Sequence, residues 1–278
     1  MLELNFSDKT IYTENPAFVM GIVNVTPDSF WEKSRTGAKM ALDMFESGAD
    51  IVDVGGESSR PGADYVSEEE ECERVIPVIK KIRQYTDKPI SVDTRKVCVM
   101  REARKAGADM LNDISALEDD PSLASFCAQE KMPVILMHKR GIPVIMQNNT
   151  TYKDPVREIT NYLIARVKFA VQNGIEAKKI ILDAGIGFGK NLEANIALIR
   201  ASNKILQDVQ AAGFSDIAHI LMALSRKTCI GDITGKSVAN RMAGTLAANL
   251  VAVQYGATML RVHDVSETID ILKVLGRI

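Results

Sequence analysis

Twelve polar residues stand where short apolar runs end: Asn24, Asp53 and Glu57, Asp93, Asn112, His138, Asp183, Ser225 with Arg226 and Lys227, and Arg261 with His263. Each alone has an ordinary structural reading, since an Asp after a strand is commonly a helix cap and a lone His a satisfied packing residue. Recurrence on nearly every run favours a shared site. Asp183 and Asn112 can pair with a planar heterocycle presenting adjacent N–H groups, because a carboxylate accepts two hydrogen bonds and an amide both donates and accepts. Arg261, His263 and Lys227 supply charge and donors suited to a phosphate or carboxylate. Such a site holds a flat ring and an anion. Neither a Ser-His-Asp spacing nor HExxH is present to suggest hydrolysis by either route.

The stretch IILDAGIGFGK, residues 180 to 190, ends an apolar run in Asp183 and then alternates three glycines with Ile186 and Phe188. A phosphate-cradling GxxxxGK[ST] loop needs glycine at Ala184 and a hydroxyl at Asn191, and GxGxxG needs glycine at Lys190. Both patterns fail. The glycines therefore suggest a tight strand-to-helix turn, with Lys190 facing solvent.

The elements that position these residues follow from periodicity. Eight runs rich in Val, Ile, Leu and Met (18 to 23, 51 to 54, 89 to 92, 110 to 111, 133 to 137, 180 to 182, 219 to 224 and 258 to 262) each precede a segment with helical spacing. Runs apolar at nearly every position suit parallel strands buried on both faces. Ser67 with Glu70 suggests a capping box, Pro155 a helix start, and Pro77 a kink or an early-turn position. Gly48, Gly107 and Gly256 each precede a strand and suit left-handed helix ends. Residues 2 to 13 alternate around Ser7-Asp8-Lys9 as a short hairpin covering one end, placed within residues 1–15. Residues 139 to 154 form the longest irregular stretch, read as a mobile loop.

Eight βα units predict an α/β fold, a (β/α)₈ barrel forming a single domain over 1–278, with a doubly wound open sheet as the structural alternative. In a barrel the strand-end residues converge at one mouth. With 46% hydrophobic residues the 278-residue chain can bury a sizeable core. The net charge of -2 and the lack of a long basic block argue against nucleic acid as a partner and favour a small molecule. The four scattered cysteines suggest neither zinc nor disulfides. No leader pattern and no run of 18 uncharged apolar residues point to a membrane, so the cytoplasm is the expected compartment.

MGIVNVTPDSF (20 to 30), DVGGESSRPGA (53 to 63), SVDTRK (91 to 96), NDIS (112 to 115), MHKRG (137 to 141), LDAGIGFGK (182 to 190), LSRKT (224 to 228) and RVHDV (261 to 265) together resemble the motifs of the dihydropteroate synthase family. The resemblance covers almost the whole chain. It implies a (β/α)₈ barrel that joins 6-hydroxymethyl-7,8-dihydropterin diphosphate to p-aminobenzoate, with Mg²⁺ as cofactor, a homodimer as the assembly, and sulfonamides as inhibitors.

By position, the resemblance implies that Asp93, Asn112, Asp183 and Lys227 hold the pterin, with Ile114, Met137 and Phe188 lining its pocket or the p-aminobenzoate channel. It gives Asn24, Arg261 and His263 to the diphosphate, Asn24 through the metal ion, and makes Asp93, Lys227, Arg261 and His263 the catalytic group. Ser59, Arg60 and Pro61 fall in one mobile loop and Thr26 to Phe30 in another, ordering with Ser225 around p-aminobenzoate. The chain departs from the family pattern at Trp31-Glu32-Lys33-Ser34, where glycine-rich sequence is usual, and at Ala184 and Cys229. Alternatives are a pterin-barrel methyltransferase, which needs neither the NVTPDSF and RPG loops nor Arg261 with His263, a catalytically silent pterin-binding paralogue, and a barrel acting on another phosphorylated metabolite.

Overall fold

The structure is a computed structural model that describes residues 1–25, 30–58, 62–142 and 144–278, with the side chains of 30–35 outside that description. Two short strands, β1 (Leu2–Asn5) and β2 (Thr10–Thr13), pair antiparallel as the hairpin expected from alternation. Eight strands follow: β3 (Phe18–Asn24), β4 (Ile51–Gly55), β5 (Ile90–Asp93), β6 (Met110–Asp113), β7 (Val134–Met137), β8 (Ile180–Asp183), β9 (His219–Met222) and β10 (Met259–Val262). They pair in parallel, in sequence order, and β10 closes on β3, giving the predicted (β/α)₈ barrel.

Around it run α1 (Phe30–Glu46), α2 (Glu68–Arg83), α3 (Val97–Ala106), α4 (Ser122–Gln129), α5 (Pro155–Gln172), α6 (Leu192–Arg200), α7 (Ser202–Ala211), α8 (Thr228–Thr234), α9 (Met242–Gln254) and α10 (Val265–Leu275). Their ends obey local chemistry. The Ser67 side chain accepts from the Glu70 N–H at 3.1 Å and Asp154 from the Arg157 N–H at 3.1 Å, with Pro155 at the first helical position. Pro77 lies in the body of α2 rather than in its first turn. Gly107 ends α3 in the left-handed conformation at φ 111° and turns the chain back into β6.

Alternate strand residues go to two cores. Outward residues such as Val19, Val52, Val92, Leu111 and Leu182 pack under the helices. Inward residues Phe18, Met20, Ile51, Met110, Ile135, Ile181, Leu221 and Met259 fill the barrel together with Leu4 and Phe6 from the hairpin. This double burial explains why the strands read as unbroken apolar runs. The hairpin plugs the end of the barrel where the strands begin: His219 hydrogen-bonds the Glu3 carbonyl at 2.7 Å and Lys179 donates to the Phe6 carbonyl at 2.9 Å. The opposite mouth is left for the strand-end residues. Among the described residues no helix is long and apolar enough to cross a membrane.

Candidate active site

Two residues beyond the inward apolar layer, the period-two alternation brings Asp53, Asn112, Asp183 and Arg261 into the barrel, with Asp93 one step further along β5 from Ser91. Arg261 spans two carboxylates, with Nε 2.6 Å from Asp53 Oδ2 and Nη2 2.8 Å from Asp93 Oδ2. Asn112 Nδ2 donates to the same Asp53 oxygen at 2.9 Å. On the other side Asp183 Oδ1 accepts the Gly185 N–H at 2.7 Å, and the Lys227 ammonium donates to the Ile186 carbonyl while lying 4.9 Å from the Phe188 ring centroid. Ser225 Oγ sits 2.9 Å from His263 Nδ1 and accepts the His263 backbone N–H at 3.2 Å. Asn24 is exposed at the end of β3, and Ile114 and Met137 are buried in the wall.

Burial dominates the electrostatics. It pushes the Asp93 carboxyl up to about 7 against the pull of Arg261, with Asp53 adding to the rise. It also raises Asp183, opposed by Lys227 and the Gly185 N–H, and it drops the Lys227 ammonium to about 8 against the pull of Asp183. A carboxyl near 7 and an amine near 8 at one barrel mouth mark a site whose charge state changes across the neutral range.

The glycine loop after β8 is a turn, as its spacing suggests. Gly185, Gly187 and Gly189 have φ of 67°, 85° and 65°. Four successive carbonyls accept from side chains, three of them from other parts of the chain: Ile186 from Lys227, Gly187 from Gln147 at 2.7 Å and Gly189 from the Tyr152 hydroxyl at 2.9 Å, while Phe188 accepts from the loop's own Lys190 at 3.0 Å. Lys190 therefore corrects the expectation of a solvent-facing residue. It is buried, reaches His138 Nδ1 at 2.9 Å, and has its ammonium pushed well below the ordinary value by desolvation.

Three strand-end candidates go elsewhere. His138 follows the inward Met137 and so points outward, edge-on to Tyr162 at 4.8 Å, where burial depresses it to about 2 and keeps it neutral. Glu57 is held by Arg95 at 3.0 Å and Lys96 at 2.9 Å, and Arg226 pairs with Asp264. Ser59, Arg60 and Pro61, and the Thr26 to Phe30 loop with the Trp31-Ser34 departure, lie outside the described residues or side chains. Gln147 and Tyr152 were not legible as site residues, because both sit in the irregular stretch. Asp53 carried a signal in its inward parity on β4.

The family described as pterin binding enzyme matches residues 20–263, from β3 to His263. This chain is a pterin-binding enzyme. It is 42% identical over 264 residues to the dihydropteroate synthase of Haemophilus influenzae, covering 92% of each chain, and 44% identical over 263 residues to that of Synechocystis, covering 92% of this chain and 88% of the relative. A Xanthomonas albilineans dihydropteroate synthase with 4-aminobenzoic acid superposes at a TM-score of 0.87 with 40% identity, covering 99% of this chain and 97% of that one. The same species' enzyme in complex with 7,8-dihydropteroate gives 0.86 at 36% identity, with the same coverage. A Yersinia pestis enzyme in a sulfonamide drug complex gives 0.90 at 35%, covering 99% and 98%.

Proposed function

We infer that this pterin-binding enzyme condenses 6-hydroxymethyl-7,8-dihydropterin diphosphate with p-aminobenzoate to 7,8-dihydropteroate and diphosphate, the reaction of a dihydropteroate synthase in folate synthesis. The carrying observation is the juxtaposition of a buried carboxylate and amide, Asp183 and Asn112, with Arg261 in a chain so similar to enzymes of that name. Asp183 and Asn112 take the hydrogen-bonding edge of the pterin, Lys227 adds a donor, and Ile114, Met137 and Phe188 form apolar walls. Arg261 has five N–H donors, so it can keep Asp93 and still reach a phosphate oxygen. His263 adds a second contact there. Ser225 is assigned to p-aminobenzoate, as the family resemblance also assigns Phe30, Ser59, Arg60 and Pro61, whose placement lies outside the description.

When diphosphate leaves, the C–O bond breaks and positive charge develops on the pterin methylene. Ionised Asp93 favours that cation while Arg261 and His263 stabilise the departing anion. The aniline nitrogen then forms the C–N bond and releases its proton. Enclosure keeps water from trapping the cation first.

Among the described residues no cluster of three His, Cys, Asp or Glu could hold a metal by itself. Exposed Asn24, a single hard oxygen donor, fits Mg²⁺, which keeps several waters and takes substrate phosphates as ligands. Asn24 would hold it there, and the bound ion supplies charge neutralisation of the diphosphate. Purified protein given both substrates and Mg²⁺ is expected to release diphosphate only when p-aminobenzoate is present, and to stop on chelation. No dihydropteroate under those conditions refutes the assignment. The same pocket is expected to take sulfonamides.

The working assembly is a homodimer. Ile233 and Val251 are exposed in an apolar groove of about 310 Å³ between α6, α8 and α9, and Val238, Met242 and Tyr255 are exposed along the same stretch of chain. An α9 so apolar on all sides calls for cover, and a two-fold axis supplies it with the same face. Sedimentation at monomer mass would exclude the dimer. The cytoplasm suits its four unpaired cysteines, and the whole chain works as one barrel domain.

Asp183→Asn is expected to weaken pterin binding by about 1–3 kcal/mol, because a neutral amide replaces a charged acceptor. Calorimetric titration with a pterin measures it, and an unchanged affinity removes Asp183 from the site.

A further inference from the structure

We propose that Asp53 is a positioning residue that sets which way round the Asn112 amide faces, and hence the donor and acceptor pattern the pocket offers a ligand. The proposal rests on the reading of Asn112 as a pterin contact. Asp53 lies below the mouth, opposite Ser91 in the β4–β5 register, and is fully buried. No part of it reaches solvent to touch a ligand, so whatever it does it does through neighbours.

Those neighbours are two of the residues assigned to the substrate. One oxygen, Oδ2, accepts from Asn112 Nδ2 at 2.9 Å and from Arg261 Nε at 2.6 Å. A carboxylate offers only acceptors, so the amide nitrogen of Asn112 has to face it and the amide oxygen faces the other way. The pocket floor then presents an acceptor at Asn112 and an acceptor at Asp183, a pattern that takes adjacent ring N–H groups and rejects a ring carbonyl in the same place. Arg261 locks the carboxylate in turn, since its Nη2 is tied to Asp93 at 2.8 Å and the guanidinium is planar.

A second observation separates this role from simple packing. Among the described residues, Asp53 Oδ1 and Ser91 Oγ on the neighbouring strand are both buried without a hydrogen-bond partner. Buried polar atoms are seldom left so, and a residue retained for stability alone would be better replaced by an apolar one. What Asp53 does supply is one precisely aimed oxygen.

Pterin affinity measured by calorimetric titration in a double-mutant cycle tests this. Asp53→Ala is expected to weaken binding about tenfold, as the Asn112 amide becomes free to turn. In an Asn112→Ala background the same change is expected to cost less than about twofold, since there is no amide left to orient. An equal loss in both backgrounds assigns Asp53 a general structural role and overturns the proposal, as does no loss with Asp53→Ala when Asn112→Ala alone weakens binding. If Asn112→Ala alone leaves affinity unchanged, the reading of Asn112 falls and the proposal with it. Should Asp53→Ala not fold, the cycle is run with Asp53→Asn, for which about threefold loss confined to the Asn112 background is expected.

Discussion

Arg261→Ala is expected to lower kcat/KM for the dihydropterin diphosphate by about 10²–10³, the scale set by removing one preorganised charge stabiliser from a developing anion. Binding of a pterin without phosphate is expected to suffer much less. A second consequence comes from the ion pairs. Arg261 is the cation between Asp53 and Asp93, and it opposes the burial that lifts Asp93 to about 7. Without it Asp93 rises further. Ionised Asp93 is the form that favours the methylene cation, so activity grows as pH rises through its value and, with Lys227 near 8, declines above that. The wild-type kcat/KM profile is therefore a narrow bell, and the variant's acid limb moves to higher pH. Equal losses for the two ligands with an unmoved acid limb would remove Arg261 from the anion site. Arg261→Lys separates the effects: it restores charge, and with it most of the acid limb, but not the fork that spans both carboxylates.

The same stretches show how far the sequence can be read. The strands were legible because each is buried on both faces, and the mouth because a barrel gathers its strand ends there. β9 stops at Met222, although Ala223 and Leu224 are as apolar as the residues before them. They leave the ladder yet stay in the core. His138 was grouped with the site by its place after a strand, while counting pleats from Ile135 and Met137 turns it outward. Lys190 had no such signal. A lysine ending a glycine loop reads as exposed, and the histidine it reaches lies 52 residues away. Asp53 and Arg261 are 208 residues apart, so their pairing belongs to barrel closure rather than to any local pattern.

The glycine loop, where a phosphate reading failed on spacing, carries the sharpest stability prediction. Gly185→Ala is expected to destabilise the protein by at least about 3 kcal/mol, combining a left-handed backbone with a clash that cannot relax cheaply. A Cβ there would overlap the carbonyl oxygen of His138, a backbone atom already held by β8, since the His138 N–H donates to the Asp183 carbonyl at 3.0 Å. Either β7 or the loop has to move. If the loop moves, Asp183 loses the Gly185 N–H that steadies its charge, and Ile186 is drawn from Lys227. Gly187→Ala provides the control. Its φ of 85° is equally left-handed, but among the described residues its Cβ meets only the flexible Lys227 side chain, at 3.5 Å. That change is expected to cost about 1 kcal/mol, the backbone contribution alone. On a protein of this size, about 2–4 °C of melting temperature per kcal/mol separates the two in a thermal scan. Similar melting temperatures for both variants would mean that contact with the His138 carbonyl does not hold the loop, and the turn would then owe its shape to its own glycines.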